Sequence, residues 1–247
     1  MKRLLISFAV LASMLTAASA DPFSSVDAFG SATASVYAQT TANLYSVSPS
    51  DNQFGTTSLY AGAGGYASFN DYWQYEYQDI VGYDDDGNPI YGTFYEDEYE
   101  NAMAEANAYG RFSHVTNRIE SEVYSYSQWN YSTIGSVAFA SANSSSSSTI
   151  NVNFALTQGG SFRLSSPTSY GDAVITLYMD GNYILDSGTL GGNSTILTLG
   201  PGNYQLTGAA GYQGGAEFYV EAMAVPEPAS MAALALGAAA ILRRRRR

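Results

Sequence analysis

The residues best suited to bind a metal ion form an acidic run, Asp84-Asp85-Asp86-Gly87-Asn88-Pro89. Calcium needs several oxygen ligands close together, and this run offers them. The spacing does not fit an EF-hand loop, because Pro89 stands where glycine is required and Tyr95 where the bidentate glutamate should be. Asp86-Gly87 is a hairpin-turn pair. We therefore predict an exposed hairpin tip, with calcium at Asp84, Asp85 and Asp86 as the alternative and no other cofactor.

Carboxylates are concentrated in the middle of the chain, where 13 of the 22 acidic residues lie between Asp71 and Glu122. Two carboxylates held at the proper separation hydrolyse glycosidic bonds, so a glycan-active enzyme is one alternative. A run of like charges is more often a solvated face, and we interpret Glu96, Asp97, Glu98 and Glu100 in that way. His114 is the single histidine, and no serine lies in a nucleophile elbow. We predict no catalytic residues.

Aromatic residues alternate along a predicted strand, so that Trp73, Tyr75 and Tyr77 share one face. An exposed row of this kind could contact sugar rings, with neighbouring carboxylates accepting hydrogen bonds from hydroxyl groups. Alternatively, the row fills the core of a sandwich whose other strands offer only alanine, and this is the interpretation that we prefer.

Charge is segregated along the chain. Residues 21–224 contain three Arg, no Lys and 21 acidic residues, a net charge of 3 − 21 = −18. Such a domain repels nucleic acid and anionic lipid unless cations bridge them, so we predict no nucleic-acid partner. The chain contains no cysteine, which excludes disulfides, thiolate metal sites and a cysteine nucleophile.

The elements that must position these residues have the patterns of strands. Apolar residues alternate at Ile150, Val152, Phe154 and Leu156, and short strands follow between glycine turns as far as Met223. Small residues, nearly all alanine, alternate over 32–38, where Val36 is the exception, and over 102–108 and 138–142, as in strands whose inner face lies close to another sheet. Residues 96–109 also fit helical spacing, but we prefer a strand.

These patterns predict an all-β fold, an antiparallel β-sandwich of jelly-roll or immunoglobulin-like type, with a single C-terminal hydrophobic helix. The serine run 144–148 is either a linker or a loop within one sandwich, and we prefer the loop. The ectodomain is then residues 21–224, or two units, 21–148 and 149–224.

Residues 1–20 have the three parts of a secretory signal peptide. Lys2 and Arg3 form the basic start, and residues 4–16 are an apolar run. Small residues at Ala18 and Ala20 predict cleavage by signal peptidase before Asp21.

The C-terminus also has three parts. Because of its prolines, Val225-Pro226-Glu227-Pro228 is predicted to be extended. Residues 229–242 are apolar, and the chain ends with Arg243, Arg244, Arg245, Arg246 and Arg247. The arginine run is retained on the cytoplasmic side, so the domain before it faces outward. An apolar stretch of 14 residues is about 21 Å long as a helix, which is short for a hydrocarbon core of about 30 Å. It suits a temporary anchor better than a permanent one.

This layout, in residues 225–247, resembles the PEP-CTERM family, whose signature tripeptide corresponds to Pro226-Glu227-Pro228. The resemblance implies recognition by an exosortase at the inner membrane of a bacterium that makes exopolysaccharide, and removal of the tail during sorting. An ordinary single-pass anchor is the alternative.

From these observations we expect an exported protein of the cell surface or extracellular matrix with a structural or adhesive role. It would be tethered to the inner membrane through its C-terminus before processing. The alternative is a carbohydrate-binding module for exopolysaccharide, dependent on calcium or not. The expected partners are signal peptidase and an exosortase during export, then exopolysaccharide or other envelope proteins.

Overall fold

The computed structural model describes residues 21–223. The predicted signal peptide with Ala18 and Ala20, the sorting signal Val225–Pro228, the C-terminal hydrophobic helix and the arginine run lie outside these residues. Within 21–223, no helix is long and apolar enough to cross a membrane.

Strands make up most of the described chain, as the alternating sequence patterns predict. Their bounds are β1 Phe23–Thr40, β2 Leu44–Val47, β3 Ser50–Gly55, β4 Ser58–Tyr83, β5 Pro89–Val115, β6 Arg118–Ile134, β7 Ala140–Leu156, β8 Gly160–Ser165, β9 Ser169–Gly171, β10 Val174–Met179, β11 Asn182–Asp186, β12 Ser194–Leu199, β13 Gly202–Ala210 and β14 Gln213–Ala222. One short helix, α1 (Ser187–Leu190), is capped by the side chain of Asp186, which accepts a hydrogen bond from the amide of Thr189.

The strands form two seven-stranded antiparallel sheets. Sheet A has the order β11-β10-β13-β7-β1, with β2 and β3 both pairing with β1. Sheet B has the order β12-β8-β14-β6-β5-β4, with β9 beside β14. The all-β class and the strand at 96–109, which lies within β5, are confirmed. Two antiparallel sheets are consistent with a sandwich, while the jelly-roll or immunoglobulin-like type remains a prediction. Strands from both sides of residue 148 share each sheet.

The core between the sheets has two parts with different side chains. One contains large residues, among them Phe112, Phe162, Phe218, Leu206 and Ile175. The other is built mainly from alanines of β1, β4, β5 and β7, including Ala34, Ala38, Ala102, Ala104 and Ala106. The sheets approach closely in this second part, because a Cβ atom added to Gly65 of β4 would lie 2.9 Å from Val36 Cγ2 of β1. The alternating alanines therefore mark close sheet packing, as the sequence predicts.

The serine run is neither a linker nor a loop, so that prediction is wrong. Residues 144–148 lie inside β7, and Ser144, Ser146 and Ser148 are buried between the sheets. Their hydroxyl groups find partners on β6: Ser146 with the Ser125 hydroxyl at 2.6 Å, and Ser148 with the Tyr124 carbonyl at 2.9 Å. Small side chains that bond across the gap allow the sheets to stay close, because the buried hydroxyl groups of Ser144, Ser146 and Ser148 are all paired.

Strands β4 and β5 are much longer than the strands that cover them. β4 has 26 residues and β5 has 27, and β6 pairs with β5 only from Tyr99 onward. Beyond that point Trp73–Tyr83 and Pro89–Glu98 pair only with each other. This two-stranded projection, residues 73–98, is called the arm. At about 3.3 Å per residue, its strands extend about 35 Å from the body.

Candidate functional site

One face of the arm carries a row of aromatic rings. Trp73, Tyr75 and Tyr77 lie on the face that continues the inner surface of sheet B, and Phe94 lies opposite Tyr77. The ring centroids of Tyr75 and Tyr77 are 6.2 Å apart with an interplanar angle of 14°, and those of Tyr77 and Phe94 are 5.7 Å apart at 25°. The rings of Tyr75, Tyr77 and Phe94 thus form a nearly parallel series on this face.

These rings are not in the core, so the preferred interpretation of the aromatic row is wrong. Tyr75 and Tyr77 are 39% and 38% exposed, and Trp73 is half-buried. The reason is the length of sheet A. β1 ends at Thr40, whose hydroxyl donates to the carboxylate of Asp71, so no strand of sheet A reaches the arm. The face that is buried in the body becomes accessible beyond Asp71.

The opposite face of the arm carries polar side chains near its base, where a carboxylate bridges the two strands. Asp97 Oδ1 accepts hydrogen bonds from the Tyr72 hydroxyl at 2.7 Å and from the Gln74 side-chain amide at 3.0 Å. These bonds, first that of Gln74, lower the pKa of Asp97, and the bond to Asp97 raises the pKa of Tyr72. The ionised Asp97 carboxylate of β5 is therefore hydrogen-bonded to two side chains of β4.

The tip of the arm is the predicted exposed hairpin turn. The Asp84 carboxylate accepts hydrogen bonds from the amides of Asp86 at 3.0 Å and Asn88 at 2.8 Å, and from the Asn88 side chain at 3.0 Å. These bonds, chiefly that of the Asn88 side chain, lower the pKa of Asp84. Residues 21–223 contain no group of three or more His, Cys, Asp or Glu side chains placed to hold a metal ion. Calcium at Asp84, Asp85 and Asp86 remains a prediction.

The acidic run at the base of the arm is only partly solvated, which corrects the sequence interpretation. Glu98 and Glu100 are 0% exposed. Glu98 accepts hydrogen bonds from the amides of Ser136, at 2.9 Å, and Val137. Glu100 accepts from the amides of Thr41, at 2.6 Å, and Phe139. The β1–β2 turn and the β6–β7 loop thus close the end of the body, and these glutamates satisfy their backbone donors.

His114 contacts two residues at the start of the described chain, Asp21 and Phe23. Its Nε2 atom lies 2.9 Å from Asp21 Oδ2, and its ring meets Phe23 edge-on, with centroids 5.8 Å apart. The Asp21 carboxylate also accepts a hydrogen bond from the Phe23 amide. Asp21, the residue predicted to follow signal-peptide cleavage, is therefore part of the folded body.

A second aromatic surface was not found from the sequence. On the outer face of sheet B, Tyr60, Tyr109 and Tyr124 stack across β4, β5 and β6, with centroid distances of 5.8 Å and 5.0 Å. The Tyr109 hydroxyl donates to Glu122 Oε1 at 2.6 Å, and burial with this bond raises the pKa of Tyr109. The three tyrosines are distant in the sequence, and only the strand register shows that they meet.

Comparison with known proteins identifies the end of the chain. Residues 224–247 match the PEP-CTERM protein-sorting motif, and the rest of the chain has no family assignment. Neither the curated proteins nor the solved structures contain a match to the chain.

Proposed function

We propose, from the premise that a PEP-CTERM tail marks this chain as an exported protein sorted by an exosortase, that it is a structural or adhesive component of the cell surface or extracellular matrix. In this proposal the arm is its contact surface. Signal peptidase would remove residues 1–20, and the exosortase would act at Val225–Pro228 while residues 229–247 hold the protein at the inner membrane.

The observation that carries the proposal is the exposure of large aromatic and aliphatic side chains along the arm. Apart from Tyr75 and Tyr77, the exposed members are Ile80, Val81, Tyr83, Ile90, Tyr91, Phe94 and Tyr95. A concentration of exposed apolar side chains on a single protein marks an interaction site, and here these side chains lie on both faces of the arm. The body needs none of these residues, because its core clusters contain no residue of the arm.

A second candidate function, binding of exopolysaccharide, is favoured by the geometry of Trp73, Tyr75 and Tyr77. The rings of Tyr75 and Tyr77, 6.2 Å apart and nearly parallel, can each pack against the apolar C–H face of a sugar ring, and Trp73 lies on the same face of the strand. Glu96 lies on the same face of the arm; its Oε2 atom accepts a hydrogen bond from Ser136, and its Oε1 atom could accept one from a sugar hydroxyl. An acidic glycan and a domain of charge −18 repel each other, so cations would have to bridge them. Calcium is the bridging cation that we propose.

The experiment is co-sedimentation of residues 21–224 with the exopolysaccharide of the bacterium that makes the protein, once with calcium and once with chelator. Those residues include every residue of both core clusters, so the segment should fold alone. Trp73→Ala tests the aromatic row, and Tyr66→Ala is the matched control because Tyr66 is exposed on the other face of β4.

Saturable co-sedimentation that Trp73→Ala weakens and Tyr66→Ala does not would support glycan binding through the arm. Dependence on calcium would support the bridging cation. No co-sedimentation in either condition would overturn the carbohydrate candidate and leave a protein-binding or passive role for the surface component.

A further inference from the structure

One edge of the arm has backbone groups that are not paired with another strand of residues 21–223. Among the described strands, β4 is the outermost of sheet B and pairs with β5 alone. The His114 amide donates to the Thr57 carbonyl. The odd-numbered residues of β4 therefore direct their backbone N–H and C=O groups towards β5. The Gly62 amide instead donates to Asp51 of β3, away from β5. Because direction alternates along a strand, even-numbered residues from Asn70 to Gln78 point outward.

This stretch has few of the features that usually protect an edge strand. Natural edges are blunted by charged side chains, especially Lys, and by Pro, bulges or short length. The charged side chains of this stretch are Asp71 and Glu76. Residues 70–78 contain no Lys, Arg, Pro or Gly, and the register of β4 with β5 is regular until Ile80. The other edge of the arm, on β5, begins with Pro89 and contains Gly92. The β4 edge is therefore the one suited to accept a further strand.

The sequence of this edge is complementary to itself when read antiparallel. The stretch reads Asn-Asp-Tyr-Trp-Gln-Tyr-Glu-Tyr-Gln, with Gln74 in the middle. Two copies paired about Gln74 would oppose Trp73 with Tyr75, Tyr72 with Glu76, Asp71 with Tyr77, and Asn70 with Gln78. Aromatic residues then face aromatic residues, amides face amides, and each acid faces a tyrosine. Like charges directly opposite would destabilise the pair, and this register contains none.

We propose that two copies of this chain associate through antiparallel pairing of residues 70–78 of β4, with the twofold axis at Gln74. The outward-pointing even-numbered residues would exchange about ten backbone hydrogen bonds. The result is a continuous four-stranded ribbon, β5-β4-β4-β5, with the two bodies at opposite ends. A two-stranded hairpin alone is marginal in water, so the added strands also stabilise the arm.

Charge sets the conditions for this pairing. Residues 71–98 contain nine acidic residues and no Lys or Arg, so two approaching arms repel each other. Salt screens this repulsion, and association should be several-fold tighter at high than at low ionic strength. A basic partner strand on the same edge would show the opposite dependence on salt. The inference goes beyond the proposed function and is tested without glycan, so either one can fail alone.

The first experiment uses the absence of cysteine from the chain to test the register. In the proposed dimer the two Gln74 residues are a hydrogen-bonded pair, with Cα atoms about 5.5 Å apart, within the range of a disulfide. The two Gln78 residues would be about 27 Å apart. On oxidation of residues 21–224 at high salt, Gln74→Cys should form covalent dimers on the order of tenfold faster than Gln78→Cys or Thr93→Cys. Thr93 lies on the β5 edge, opposite Gln78.

The second experiment measures the mass in solution by analytical ultracentrifugation. Gln74→Pro removes an outward amide from the β4 edge and should give monomers, whereas Thr93→Pro removes an outward amide from the β5 edge and should not. Tyr72→Glu places like charges opposite each other and should weaken the dimer. Adding Glu76→Tyr to it exchanges the pair and should restore the dimer.

Equal cross-linking at all three cysteine positions, or a mass of one copy at every salt concentration, would overturn the proposal. Failure of the exchanged pair to restore association would overturn the register. A chain that stays monomeric but binds a separate basic strand at low salt, lost with Gln74→Pro, would assign the edge to another protein instead.

Discussion

Replacing Glu100 with alanine should destabilise the body strongly, although the residue belongs to an acidic run that looks solvated in the sequence. Its carboxylate accepts hydrogen bonds from the amides of Thr41 and Phe139 and from the Thr41 hydroxyl. Each buried donor left unpaired costs about 1–3 kcal/mol. Water can hydrogen-bond to some of the freed donors and so reduce this cost, because Thr41 and Phe139 are exposed residues. We therefore expect a loss of about 3 kcal/mol in the free energy of unfolding.

The assay is thermal and urea denaturation of residues 21–224 followed by circular dichroism. For a domain of this size, about 3 kcal/mol corresponds to a melting temperature lower by roughly 6–12 °C. Glu96→Ala is the matched control, because the Glu96 carboxylate accepts its hydrogen bond from the exposed Ser136 hydroxyl, and it should cost less than about 1 kcal/mol. Equal, small losses in both variants would refute the assignment of Glu100 as the acceptor that closes the end of the body.

Three further predictions concern other parts of the chain. Ala104→Leu, at a site 0% exposed between closely packed sheets, should lower the free energy of unfolding by about 1–3 kcal/mol in urea denaturation, and a neutral result would contradict the close packing. The Asp84 carboxyl should titrate below its ordinary pKa of 3.8 by carbon NMR, and Asn88→Ala should raise that pKa towards 3.8. Since the folded-state pKa of Asp84 is lowered, its contribution to the hairpin turn is present above pH 3.8 and lost as the pH falls through the lowered value. Replacing Pro226-Glu227-Pro228 with alanines should block tail removal, and mass spectrometry of the exported protein would then find residues 229–247 still attached.

The strands could be predicted from the sequence where one face is buried and the alternation is clean. Ile150, Val152, Phe154 and Leu156 lie in β7, and the short strands after Gly159 appear where the glycine turns separate them. The alanine alternation predicted the close sheets, because only small side chains fit there. These signals are local, and a period of two residues is enough to show them.

The site could not be predicted as well, because its features depend on segments distant in the sequence. Whether Tyr75 is core or surface depends on where sheet A ends, at Thr40, and not on its own strand. The burial of Glu98 depends on the loop at Ser136, 38 residues away, which folds back to it. The serines at 144–148 looked like a linker because their composition is uniform, and their alternate burial follows only from the facing strand.

The most direct test of the account is to remove the arm. Trp73 and Glu98 are paired, so residues 74–97 can be replaced by Asn-Gly, a two-residue hairpin turn, without changing the body. The shortened protein and the original would be sedimented with extracellular matrix isolated from the bacterium that makes the protein, after their melting temperatures are compared. We predict equal melting temperatures and loss of matrix binding in the shortened protein. Matrix binding that survives removal of the arm would contradict the assignment of the arm as the contact surface.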